Sequence, residues 1–111
     1  MNTLTIAVFA PILVIVGVFG FVIPADKAAT SGAAAYNVFH LVFGAIGLVL
    51  ALTGNDNAIR TFNIGFGAID LYQAAASRWH WWPEKVFRWT KVDDVLHVVI
   101  GIVLVAIGVL F

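Results

Sequence analysis

Two stretches of the chain share one pattern. Residues 37–44 read NVFHLVFG and residues 94–101 read DVLHVVIG, so two of the three histidines, His40 and His97, sit in matching apolar surroundings. An imidazole inside an apolar helix has few uses. Its neutral nitrogen can ligate a metal or the central atom of a tetrapyrrole, it can relay a proton, or it can close a hydrogen bond between helices. Asp70 is the only carboxylate well inside an apolar segment, and Gln73 and Asn63 share its side of the helix. An ionisable residue there is expensive and implies a partner. His40, His97 and Asp70 therefore define four readings: a haem or chlorophyll-type pigment held by the histidines, a two-His-one-carboxylate metal site, a proton relay, and a hydrogen-bonded network that only specifies packing.

The elements that must position these residues follow from composition. Hydrophobic residues make up 62% of the chain and charged residues 11%, with a mean hydropathy of +1.02. Soluble domains carry about 25% charged residues, so lipid is the expected solvent. A spanning helix takes about 20 mostly apolar residues. Four windows qualify: 4–23, 33–53, 58–77 and 95–111. The third is the most polar. Pro11 falls inside the first, where a membrane helix tolerates it. That first window lacks a basic flank and its apolar run exceeds a signal peptide's, so it is expected to remain as a helix. Asp93 and Asp94 precede the last window and suit its N-terminal dipole.

Between the third and fourth windows lies a segment, 78–92, holding Trp79, Trp81, Trp82 and Trp89 together with Arg78, Lys85 and Arg88. From Trp82, the spacing of Val86 and Trp89 predicts an amphipathic stretch lying at the membrane interface. Such a stretch is either an anchor or a docking surface. The basic residues cluster in loops 24–32 and 78–94. Positive-inside logic places both loops in the cytoplasm and both termini outside, in a bacterial inner membrane.

Aligning His40 with His97 sets an offset of 57 residues, which also aligns Asn37 with Asp94 and Gly44 with Gly101. Two helices return the chain to its starting side, so the repeat is parallel and its axis runs along the membrane normal. Depth places His40 and Asp70 each roughly 10 Å inside the bilayer and His97 roughly 5 Å inside. Gly44 and Gly101, one turn beyond the histidines, admit either a close helix or a flat ring beside the imidazole.

The composition also excludes. Net charge is zero and there is no cysteine. Nucleic-acid binding, a disulfide framework and thiolate chemistry therefore have no support. No phosphate loop, dinucleotide fingerprint or zinc-protease motif is present, and catalysis is not expected. The combination of YNVFHLVFGAIGLVLA (36–51), a turn with Arg60, and DDVLHVVIGIVLVAIG (93–108) resembles a group of small four-helix bacterial membrane proteins catalogued only as a domain of unknown function. The resemblance implies a four-helix fold with the paired histidines and carries no activity. The expectation is an all-α integral membrane protein forming one bundle over residues 1–111. Its role would be that of a non-catalytic accessory subunit of a larger, energy-transducing membrane complex. Its partners would be the bilayer and other subunits or its own copies. The alternatives are a pigment- or metal-binding protein and a small oligomeric transporter.

Overall fold

The computed structural model describes residues 1–24 and 31–111. Most of the 24–32 loop, Lys27 included, lies outside the described residues. Five helices follow in order: α1 (Asn2–Val22), α2 (Ala34–Thr53), α3 (Asp56–Trp79), the single-turn α4 (Glu84–Phe87) and α5 (Lys91–Leu110). No strand occurs among the described residues. Helices α1, α2 and α5 are each long and apolar enough to cross a membrane, which fits an integral membrane protein. α3 is the longest helix and the least apolar, because Arg60, Asn63, Asp70 and Gln73 interrupt it.

Helix ends are set by local chemistry. Asn55 caps α3 by accepting from the Ala58 amide at 3.0 Å, and Gly54 takes the left-handed conformation that closes α2. Thr90 caps α5 in a reciprocal box with Asp93. The helix therefore begins at Lys91, four residues before the start of the fourth apolar window, 95–111. Its first turn is polar, and an apolar count misses a polar turn.

The segment 78–92 holds the end of α3, a turn and the short helix α4. α3 runs on to Trp79 and stops where His80 turns left-handed. Pro83 lacks the amide to continue a helix. α4 lasts one turn before Arg88 also turns left-handed. Trp82 is 80% exposed, whereas Trp89 folds inward and donates its indole N–H to Gln73 Oε1 at 2.9 Å. Trp89 therefore leaves the expected docking set. Trp79, Trp81, Trp82, Arg78, Lys85 and Arg88 stay exposed.

The helices pair as two hairpins, α1 with α2 and α3 with α5. Small residues set both crossings. A Cβ on Gly44 would lie 2.9 Å from the Val14 amide nitrogen and 3.1 Å from the Ala10 carbonyl oxygen. A Cβ on Gly101 would lie 2.9 Å from the Gly67 carbonyl oxygen and 2.8 Å from Leu71 Cγ. Ala10 and Gly67, Val14 and Leu71, and Gly44 and Gly101 are pairs at the 57-residue offset. The same contact is thus made twice, with equivalent residues. The space beside the histidines belongs to the neighbouring helix at these positions, and no flat ring enters there.

Residues on the repeat axis meet their own equivalents. Phe9 packs edge-on against Phe66, with ring centroids 5.7 Å apart, and the Tyr36 hydroxyl donates to Asp93 Oδ1 at 2.7 Å across the same 57-residue offset. Phe66 continues into a stack with Phe39, Phe43 and Phe62 at the centre of the bundle. Lipid tails are as apolar as these rings, so a bundle in lipid is held by close packing and polar contacts rather than by escape from water.

The two ends of the bundle differ. At one end the Asn63 amide donates to the Asn2 carbonyl and side chain, and Arg60 donates to the carbonyls of Gly108 and Val109 at the α5 terminus. At the other, Ser31 donates its amide to Asp93 Oδ2 at 2.8 Å and its hydroxyl to the Phe87 carbonyl. Both chain termini therefore lie at the Arg60 end, and Ser31 meets the segment between α3 and α5 at the other.

Candidate functional site

His40 occupies the seventh position of α2 and His97 the seventh of α5. The longer α5 removes the difference in depth expected from the sequence. Each imidazole sits about 9 Å along its helix. Both are buried, at 6% and 4% exposure, and Asp70 at 3%. The three side chains line one cavity of about 400 Å³. Tyr36 joins them in the wall, and the rest of the lining is apolar, with Phe9, Leu13, Val16 and Phe19 from α1, Phe66 from α3, and Leu96 and Ile100 from α5. The cavity straddles the repeat axis, since Phe9 and Phe66, Leu13 and Asp70, and His40 and His97 are all pairs at the 57-residue offset.

The histidines are not equivalent in their bonding. His97 Nε2 lies 3.1 Å from the Tyr36 hydroxyl, which in turn donates to Asp93. Asp93 is fully buried and accepts from the Ser31 amide, the Thr90 amide and the Thr90 hydroxyl as well. A chain of hydrogen bonds thus runs from the loop end of the bundle through Asp93 and Tyr36 to His97 and the cavity. A second chain runs from Trp89 through Gln73, whose amide donates to Asp70 Oδ1 at 3.4 Å. His40 belongs to neither. Its ring packs edge-on to Tyr36, centroids 4.2 Å apart, and its Nδ1 is sealed in protein without a hydrogen-bond partner. The ring lines the cavity, and no hydrogen bond holds its Nε2 among the described residues.

This geometry sorts the sequence readings. Asp70 faces the same cavity as both histidines, yet no hydrogen bond joins it to either among the described residues. Asn63 is far from the others, at the Arg60 end, so the polar stripe of α3 is not one network. Among the described residues no cluster of three His, Cys, Asp or Glu side chains converges on a metal position, which removes the two-His-one-carboxylate site. Tyr36 stands against both imidazoles and occupies His97 Nε2, so the pair does not flank an open slot for a macrocycle. Sequence reasoning missed Tyr36 and Asp93 as site residues. The signal was available: Tyr36 lies one turn before His40, and the repeat offset aligns it with Asp93.

Leu96, Ile12, Phe19 and Ile23 line the cavity and are also exposed on the outer surface at 42, 47, 54 and 41%. The cavity therefore opens sideways, between α1 and α5. Comparison with known proteins finds no matching family model, no similar curated protein and no similar solved structure.

Proposed function

We propose that this chain is a non-catalytic membrane protein that holds a small apolar-bodied ligand between its helices. One observation carries the reading. A cavity of about 400 Å³, with largely apolar walls and a side opening, has the buried His40 ring and the Asp70 carboxylate in its wall. That volume lies within the roughly 300–1,000 Å³ of small-molecule sites. A buried polar group left unpaired costs about 1–3 kcal/mol, and more in lipid. Asp70 keeps only the 3.4 Å bond from Gln73 among the described residues, and a ligand that bonds to its carboxyl recovers that cost. The proposed bundle spans the bilayer four times, α3 included. The support is that α3 packs antiparallel along α5, its polar residues Asn63, Asp70 and Gln73 are buried, and a lipid-facing surface remains. The proposed orientation puts the loop end, with Arg78, Lys85, Arg88 and Lys91, in the cytoplasm of a bacterial cell.

The test is purification in mild detergent, followed by organic extraction and mass spectrometry. The expected result is one small-molecule species in near-stoichiometric amount, absent when Leu13→Trp fills the cavity. An empty wild-type extract from well-folded protein contradicts the reading. The absorption spectrum of the same sample separates ligand classes, since a Soret or pigment band lost in His40→Phe marks a tetrapyrrole on His40.

The setting we propose is that of an accessory subunit of a larger membrane complex. The observation in favour is the exposed face of Trp79, Trp81 and Trp82 beside Arg78, Lys85 and Arg88. Co-purification of larger chains, lost when Trp81 and Trp82 are replaced by alanine, tests it. Unchanged co-purification in that variant removes the face from the interface, and its absence in the wild type removes the setting.

A further inference from the structure

The walls and the polar groups of the cavity specify more than an apolar ligand. Resting on the binding role above, we propose that the occupant is of the quinone class, a flat ring with oxygens on opposite edges and an apolar tail. The ring enters from the bilayer between α1 and α5.

Three features of the cavity select this chemistry. Two polar groups on different elements remain for a ligand, His40 on α2 and Asp70 on α3, since His97 is held by Tyr36 at Nε2 and sealed at Nδ1. A ligand with a single polar atom satisfies one of them, whereas a ring oxygenated on two edges reaches two. Phe9, Phe19 and Phe66 line the same space and offer aromatic surfaces to a flat ring. The way out between α1 and α5 is bordered by the exposed side chains of Ile12 and Leu96, which suit an alkyl or isoprenoid tail and no polar one.

The hydrogen-bonded chains behind the cavity add a fourth argument. His97 is backed by Tyr36 and Asp93, and Asp70 by Gln73 and Trp89. Each fixes a polar group in place, so these groups are positioned before the ligand arrives. His40 has no such backing: it lines the cavity, and no hydrogen bond holds its Nε2 among the described residues. A ring whose oxygens both donate and accept, as those of the hydroquinone form do, matches either protonation of His40 and of Asp70. No electron transfer is assigned to this chain.

The substitution pattern of the repeat supplies the test variants. Leu13 is the counterpart of Asp70 at the repeat offset, so Asp70→Leu places there the residue that the other half already carries. His40→Phe keeps the ring volume and removes the polar edge. Delipidated protein in detergent is titrated with decylubiquinol and, separately, with decylbenzene. Retained ligand is measured after gel filtration, and the elution profile and helicity of each variant are recorded. Saturable retention of one decylubiquinol per chain is expected, weakened by about tenfold or more in each variant, the worth of a lost hydrogen bond to a buried group. Decylbenzene is expected to bind weakly and to ignore both substitutions. Should Asp70→Leu disturb the elution profile, Asp70→Asn and His40→Gln take its place.

Equal retention of decylbenzene and decylubiquinol, unaffected by the variants, overturns the head assignment and leaves the cavity reading standing. A native Soret band lost in His40→Phe does the same in favour of a tetrapyrrole. Retention of neither probe by a wild type whose native extract is also empty overturns both.

Discussion

At the scale of single residues, the repeat turns glycines into paired experiments. Gly44 and Gly101 make equivalent approaches to backbone atoms of the neighbouring helix. Gly44→Ala and Gly101→Ala should each destabilise the bundle by about 1–3 kcal/mol, the usual cost of overpacking. Gly65 has nothing within 4 Å of its would-be Cβ. Gly65→Ala should therefore be neutral or gain up to about 1 kcal/mol from helix propensity. Unfolding in mixed detergent micelles reads all three, and equal losses at the three sites would contradict the packing account. Asp93 is a second such position. Asp93→Ala strands the Tyr36 hydroxyl and the Ser31 and Thr90 donors, and should cost about 3 kcal/mol or more. Residue-scale chemistry was legible where an unusual residue stood against an apolar background, as with His40, His97 and Asp70. Tyr36 and Asp93 were not, because a tyrosine at a helix start and an aspartate in a first turn are common, and only the fold brings them together.

At the scale of elements, the polar ends of the helices were harder to read than their apolar middles. Hydropathy located α1, α2 and the body of α5 to within a few residues. It placed the start of α5 at Val95, because it scores the turn from Lys91 as loop although Thr90 and Asp93 cap it. Thr90→Ala should cost about 1 kcal/mol and fray that turn, seen as faster amide exchange at residues 91–94. Unchanged exchange there would mean that packing alone holds the helix start. The segment 78–92 holds a short helix after Pro83, but not the single face that its spacing suggests. Spacing registers Trp82, Val86 and Trp89 as one face, but it does not register the left-handed turn at Arg88, after which Trp89 folds inward to Gln73.

At the scale of the whole molecule, the two-hairpin arrangement follows from a pattern that was visible in the chain. One offset relates NVFHLVFG to DVLHVVIG, and the same offset relates the small residues at both crossings and the rings that meet on the axis. The cavity was not visible. It arises where the repeat is imperfect, with Asp70 at the position equivalent to Leu13, and between α1 and α5, which touch little. The end where Ser31 meets the segment between α3 and α5 carries a topological prediction. With Thr3→Cys and Lys85→Cys made singly, an impermeant thiol reagent on intact cells should label the first and spare the second; the reverse pattern would invert the orientation.

The central claim is that the space between His40, His97 and Asp70 is a binding site and not a packing defect. An experimental density map of the protein purified with its native lipid tests this most directly. The account predicts an elongated feature inside the cavity, with its polar end in hydrogen-bond reach of His40 and its tail emerging between α1 and α5. A closed cavity, with Phe19 and Leu96 collapsed onto the histidines and nothing between them, would contradict it.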